Sequence, residues 1–365
     1  MKIEILRDHF EKAVSLAAKA SNKNLSLPVL GCVVLVVGDN KAVMRATNLD
    51  VSVEVNLKAK IEEDGVVAIP AQTLTQTVSA LSDQKLTITT SGNSLTIKGE
   101  RSTTSITTID PSEFPTLSYV KSGDTSTTLP TRDFSTALRS VVFAASVSSV
   151  KPELASIALS LEQNELVAAA TDSFRLAEVR MPMKTKSTFS TILLPARNIP
   201  DILRSLEGSG DVEIRVGENQ CSFVTDFGYL TSRTIDGVFP DYQAIIPRDS
   251  VAAATCLKED AIQAFKKASI FTDSFNQVHI SFKKSEKVFV VQALNASVGE
   301  AVDYVPAVIE GEDVDINFNA RYITDALNVL ATDSVSFSVA GPGKPMLITD
   351  VPRKGFTYLV MPMNR

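Results

Sequence analysis

Tryptophan is absent from this chain of 365 residues, histidine occurs only as His9 and His279, and cysteine only as Cys32, Cys221 and Cys256. With two histidines, general-base catalysis and zinc ligation lose their commonest side chain. The three cysteines lie far apart, with no C-x-x-C and an odd total, so they read as buried thiols in a reducing compartment rather than as a disulfide framework. Long apolar runs are missing too. Stretches such as Cys32 to Val37 are strand-length, far short of the roughly 18 residues a membrane helix requires. Charges interrupt the opening residues from Met1 to Asp8, so no secretory-type segment is read there and a cytoplasmic protein with no membrane partner is expected. Glycine and proline, 16 of each, are too few for a low-complexity or collagen-like chain.

Catalytic motifs are also lacking. There is no G-x-x-x-x-G-K-[ST], and Gly341-Pro342-Gly343-Lys344-Pro345 reads as a turn between strands. No G-x-S-x-G elbow occurs, and a Ser-His-Asp triad would have to use His9, in an opening helix, or His279, on an alternating strand. The densest acidic run, Glu62-Glu63-Asp64, precedes Gly65 and reads as a solvated turn. No catalytic residue, metal ligand or cofactor is therefore expected, and the chemistry points to a binding or scaffold role.

What is present is a repeat of about 125 residues. Pro70 to Leu81, Pro195 to Leu206 and Asn319 to Leu330 align at offsets of 125 and 124, each with apolar residues at the i, i+4, i+7 spacing of one helical face. After each comes an alternating strand, a tight turn and a second strand, as in Lys85 to Thr89, Ser91-Gly92-Asn93 and Leu95 to Ile97. Opening helices are expected at Arg7 to Lys19, Thr131 to Ala145 and Lys258 to Ser269. Ala46 to Val55 parallels Ala170 to Val179 at an offset of 124. The reading is α+β: three similar domains, each with two helices packed on antiparallel sheets, over residues 1–122, 123–248 and 249–365, divided at polar stretches near Ser122 and Arg248.

The net charge of −6 argues against a protein that coats nucleic acid with its whole surface. The six expected helices nonetheless hold eleven basic and seven acidic residues, which makes them the electropositive part of an acidic chain. Three such domains side by side leave strand edges to cover, and a closed ring would cover them. If two chains joined head to tail, twelve helices at roughly 10 Å each would surround a hole of roughly 30 Å, wide enough for duplex DNA. A basic lining would hold that duplex by sequence-independent, salt-sensitive attraction.

Four segments carry a family resemblance: Leu27-Pro28-Val29-Leu30-Gly31, Ala170 to Ala177, Asp236-Gly237-Val238-Phe239-Pro240-Asp241-Tyr242, and Tyr358 to Met363. In this order, on a threefold repeat of this length, the chain resembles the bacterial DNA polymerase III beta subunit, the beta sliding clamp family. The resemblance implies a DNA-clamp fold, a head-to-tail homodimeric ring, and a non-catalytic processivity factor in DNA replication, cytoplasmic and associated with the nucleoid. Its implied partners are encircled duplex DNA, the DNA polymerase III catalytic subunit, a clamp loader, and other polymerases and repair proteins that carry a Gln-Leu-x-Leu-Phe type peptide.

Carried over by motif, the peptide pocket would comprise Leu154, Thr171, Ser173, Phe174, Arg175, Leu176, Pro240, Ile245, Pro345, Met346, Leu359 and Met361. Its Met and Leu walls suit several partners, and Arg175 is expected at its rim, orienting a peptide. The DNA-facing set would be Lys23, Asn24, Gln72, Ser148, Lys151, Arg197, Arg204, Lys266 and Lys267. Asn24 and Gln72 stand where the family often has basic residues. For the ring interface the resemblance points to Arg101, Thr104 and Ile106 facing Ile270 and Phe271, with Glu300 and Asp303 as acidic partners for Arg101. Two other readings compete: a ring that scaffolds proteins without DNA, and an enzyme acting through carboxylates at a domain junction.

Overall fold

The computed structural model describes residues 1–21, 27–121, 126–185, 187–352 and 355–363. The first repeat runs β1 (Lys2–Leu6), α1 (Arg7–Ala18), β2 (Cys32–Gly38), β3 (Lys41–Thr47), β4 (Val51–Leu57), β5 (Ala59–Glu63), β6 (Gly65–Pro70), α2 (Ala71–Ala80), β7 (Lys85–Ser91), β8 (Ser94–Lys98) and β9 (Thr103–Thr107). The second runs β10 (Ser126–Pro130), α3 (Thr131–Val141), β11 (Ser156–Glu162), β12 (Glu165–Thr171), β13 (Arg175–Pro182), β14 (Phe189–Pro195), α4 (Ile199–Ser205), β15 (Asp211–Val216), β16 (Gln220–Thr225) and β17 (Gly228–Arg233). The third has β18 (Ala252–Leu257), α5 (Lys258–Ala268), β19 (Gln277–Lys283), β20 (Val288–Asn295), β21 (Gly299–Gly311), β22 (Val314–Asn319), α6 (Ala320–Val329), β23 (Ser334–Val339), β24 (Met346–Val351) and β25 (Phe356–Val360). Each repeat is itself a doubled strand-helix-three-strand unit. The first departs only in that β4 and β5 split what β21 keeps as one strand of 13 residues.

The helices form where the apolar spacing places them. α1 buries Phe10, Ala13, Val14 and Ala17, one stripe at helical spacing, and packs on α2 through Leu74 and Val78. α5 buries Ala261, Ala264, Phe265 and Ala268 against α6, over a core in which Phe289 stacks on Phe337 at 4.8 Å. Two helices are shorter than the spacing predicts. In the segment from Pro195, residues Ala196–Asn198 form a 3-10 turn and the α-helix starts only at Ile199, with Pro200 in its first turn, where a missing N–H costs nothing. α3 ends at Val141 and continues as a 3-10 turn over Val142–Ala144.

All the paired strands are antiparallel. Contacts divide the chain into two compact units, Met1–Arg132 with Arg197–Thr234, and Asp133–Ala196 with Ile235–Arg365. The first unit holds a five-stranded sheet, β5-β1-β7-β8-β9, and an eight-stranded sheet, β10-β15-β16-β17-β4-β3-β2-β6. The second holds a twelve-stranded sheet, β14-β11-β12-β13-β25-β24-β23-β18-β21-β20-β19-β22. The units follow the sheets rather than the repeats: β17 joins β4 from Gly228↔Val55 to Ser232↔Val51, and β13 joins β25 from Arg175↔Val360 to Val179↔Phe356. The expected division near Ser122 lies outside the described residues.

Candidate partner-binding site

Strand alternation lines up three buried leucines on one face of the second unit's sheet. Leu176 of β13 stands opposite Leu359 of β25, which stands opposite Leu347 of β24. The three cluster, with Tyr242 and Ile246 packed against them from the segment that follows the Phe239-Pro240 pair. Two residues along β13 on the same face, the buried Glu178 accepts a hydrogen bond from the Tyr242 hydroxyl at 2.5 Å, and Arg180 grips the same carboxylate with Nε at 3.0 Å and Nη2 at 2.9 Å. Burial, followed by this bond to Glu178, pushes the Tyr242 hydroxyl well above the ordinary phenol range. The tyrosine that walls the leucine row is thus tied to the sheet beneath it.

A tight turn sets the rim. Thr171 Oγ1 donates to the Arg175 carbonyl at 2.6 Å, and the Asp172 carboxylate accepts from the N–H groups of Phe174 and Arg175 at 2.9 and 3.0 Å. Ser173 sits at φ +78°, a conformation that side-chain capping of this kind sustains. The turn leaves Phe174 62% exposed. The Met361 N–H donates to the Phe174 carbonyl at 2.9 Å and the Met363 N–H to Asn317 at 2.8 Å, which draws the chain after β25 alongside the turn.

Several expected pocket residues do gather here. Leu176 and Leu359 lie in the row, and Ser173, Phe174, Pro240, Ile245 and Met361 are exposed. Arg175 is not at the rim. Its side chain is 10% exposed, its Nε donates to Asp172 at 2.9 Å and its Nη1 to Asp325 of α6 at 2.7 Å, and its guanidinium lies 4.4 Å from the Tyr322 ring centre. A guanidinium so committed to two carboxylates and a ring braces the turn rather than greeting a peptide. Met346 is also corrected: one residue before Leu347 on β24, it points to the face opposite the row. Leu154 and Thr171 are buried and Pro345 half-buried. Leu347, Tyr242 and Ile246 escaped the sequence reading. Tyr242 closes a segment that carried the resemblance, whereas Met346 and Leu347 are both apolar, so alternation did not say which faces out.

The basic positions fare unevenly. Lys23 and Asn24 lie outside the described residues. Arg197 pairs with Asp50 at 3.0 Å, Arg204 with Asp201, and Lys267 with Asp303, so three expected lining cations are already partnered within the chain. Lys151 and Lys266 are exposed, as are Arg139 and Arg321 on α3 and α6, and no ion pair among the described residues involves them. Gln72 and Ser148 are exposed.

Two of the free strand edges carry expected interface residues. β9 pairs only with β8, at the end of its sheet, with Arg101 exposed and Thr104 half-buried beside it. Ile106, expected to face a partner, is instead 4% exposed with its side chain in the core of its own unit, so what it offers outward is backbone. In β21, residues 299–306 pair with β20 alone, because β18 takes over only from Ala307. Ile270 is 65% exposed and Phe271 half-buried. Asp303 is engaged by Lys267, while Glu300 accepts from the neutral Gln292 and has no ion pair among the described residues.

Family models for the DNA polymerase III beta subunit match the N-terminal domain over residues 1–118, the central domain over 128–241 and the C-terminal domain over 243–364. The chain belongs to the DNA polymerase III beta subunit family. The beta sliding clamp of Escherichia coli is 26% identical over 373 residues, covering 100% of both chains, and that of Bacillus subtilis is 26% identical over 379 residues with the same coverage. Among solved structures, the Bacillus subtilis sliding clamp matches with a TM-score of 0.94 at 25% identity, covering 100% of this chain and 99% of that one. A Pseudomonas aeruginosa sliding clamp bound to griselimycin matches with a TM-score of 0.93 at 24% identity over 100% of both chains. As a member of the beta subunit family, the chain has the three-domain clamp fold and serves as a DNA sliding clamp, a non-catalytic processivity subunit of the replicative polymerase. No described helix is long and apolar enough to cross a membrane.

Proposed function

We propose that two copies of the chain close head to tail around duplex DNA, β9 of one copy beside β21 of the other, and that the leucine row receives short peptides from proteins that work on that DNA. The three similar domains of this ring would span 1–122, 123–248 and 249–365. The partners are the catalytic subunit of DNA polymerase III, a clamp loader, and other polymerases and repair proteins carrying a Gln-Leu-x-Leu-Phe type segment, in the cytoplasm at the nucleoid. The observation that carries the peptide reading is the row Leu176, Leu359 and Leu347, walled by Tyr242 and Ile246 and rimmed by the exposed Phe174, Ile245 and Met361. An apolar floor with large exposed apolar groups around it suits leucine and phenylalanine anchors. The griselimycin-bound relative supports a ligand pocket on this fold. The half-unpaired β21 and the exposed Ile270 support the ring.

Fluorescence anisotropy with a labelled Gln-Leu-Ser-Leu-Phe peptide tests the pocket. Micromolar binding to the wild-type chain is expected, weakened at least tenfold by Phe174→Ala with Met361→Ala; an unchanged affinity in that variant would move the site. Sedimentation tests the ring, since Ile270→Ala with Phe271→Ala is expected to give monomers, and a persisting dimer would put the interface elsewhere.

A further inference from the structure

The sheet face that carries the leucine row continues past β13. Across β12, β11 and β14 the sheet forms the floor of a groove of about 800 Å³, walled by Gly237 to Gln243. Small residues on the floor, Ala158, Ser160 and Ala169, give it depth, and Tyr242 borders both the groove and the row. Its charge is lopsided. Arg180 lines it, but its guanidinium is gripped by the buried Glu178. Glu162 and Glu165 stand directly opposite each other across the β11-β12 hairpin, an arrangement of like charges that costs stability. Glu165 has Arg180 at 3.6 Å, while Glu162 and Asp241 are exposed with no ion pair among the described residues.

We propose that this groove takes a basic stretch of the partner polypeptide, flanking the segment seated on the leucine row. The inference rests on the peptide reading of that row and extends it. The geometry sets the length of the flank: neighbouring strands lie about 4.8 Å apart, so from β13 to β11 is roughly 10 Å, and about three extended residues at roughly 3.3 Å each cover it. The carboxylates set its chemistry. Lysine or arginine side chains relieve the Glu162–Glu165 repulsion, whereas phosphates of nucleic acid would add to it.

The test is an anisotropy titration of three labelled peptides: Gln-Leu-Ser-Leu-Phe alone, and the same segment with Lys-Arg-Lys added at its amino or at its carboxyl end. They are titrated against the wild-type chain and a variant carrying Glu162→Gln with Glu165→Gln. One extended peptide is expected to bind the wild type about fivefold more tightly than the short one at low salt, the gain that two exposed ion pairs of ordinary strength supply. The gain is expected to vanish in the variant and at high salt, while the short peptide binds both proteins alike. A short peptide that binds normally with no gain from either extension overturns this inference alone, as does a gain that survives in the variant. A short peptide that fails to bind the wild type overturns the pocket reading and this extension with it.

Discussion

The two units build the same three-strand row with opposite chemistry. Where the second unit has Leu176, Leu359 and Leu347 across β13, β25 and β24, the first has Ser52, Thr231 and Ser222 across β4, β17 and β16, in the same register. The turns that lead in are near copies. Thr47 and Asn48 cap the first as Thr171 and Asp172 cap the second, with Leu49 at φ +77° and Ser173 at +78°. Backbone geometry therefore does not separate the candidate site from its counterpart. In the first unit the hydroxyls satisfy one another, Ser222 with Thr231 at 2.7 Å and Thr47 with Ser52 at 3.1 Å, and the Val120 N–H donates to Ser222 at 2.9 Å. The row is closed by its own chain. In the second unit the leucines are buried as well, but under the apolar side chains of Tyr242 and Ile246 rather than in a hydroxyl network, and Phe174 and Met361 are exposed at the strand ends. What separates the two rows is three side chains placed on a repeated frame.

Converting one row into the other should have the largest effect. Leu176→Ser, Leu359→Thr and Leu347→Ser together are expected to weaken the Gln-Leu-Ser-Leu-Phe peptide by about 100-fold in anisotropy, about 2.7 kcal/mol, because a hydroxyl row offers an apolar anchor little surface to bury against. A loss under threefold would mean the row is not the floor of the site. Next comes Arg175→Ala, which strips Asp172 and Asp325 of their shared cation; urea denaturation is expected to show about 2–3 kcal/mol lost, below the full cost of a deeply buried pair because Asp325 is partly exposed. Val51, its counterpart in the first unit, has no such role, so Val51→Ala should cost packing only. A peptide affinity that collapses in Arg175→Ala while stability holds would instead restore Arg175 to the rim.

In the first unit, Ser222→Ala leaves both the Thr231 hydroxyl and the Val120 N–H short of a partner, at an expected cost of about 1–2 kcal/mol in denaturation, with peptide binding unmoved. The smallest effect concerns DNA. Neutralising Lys266 and Arg321 in the second unit is expected to reduce the salt slope of duplex association by about two, roughly one per cation. Arg197→Gln in the first, where Asp50 already balances the charge, should leave the slope nearly unchanged; a full unit lost on Arg197→Gln would return that residue to the lining.

Local signals were readable and distant ones were not. The stripe Phe10, Ala13, Val14 and Ala17 announces its helix because the helical period is written in adjacent turns. The hairpin from Lys85 to Ile97 is equally legible. That β17 would pair with β4, and β13 with β25, is carried by no periodicity, because nothing in a strand names its partner far along the chain. The same limit hid the role of Arg175, whose second carboxylate, Asp325, lies 150 residues away. It also hid which face of β24 joins the row, since a one-residue choice between Met346 and Leu347 decides which of two apolar side chains packs beside Leu359. Pro200 was visible, and it shortened its helix for a reason the residue itself states.

The ladders that join β17 to β4 and β13 to β25 bear on how such a molecule could be divided. A middle repeat cut free, by protease or by splitting its gene, would carry β17 and β13 as raw edges, each with a row of amide and carbonyl groups shorn of its partner strand. Edges of that kind seek any other strand available. The threefold repeat in the sequence thus does not mark three pieces fit to be expressed alone, and the three repeats depend on one another for solubility.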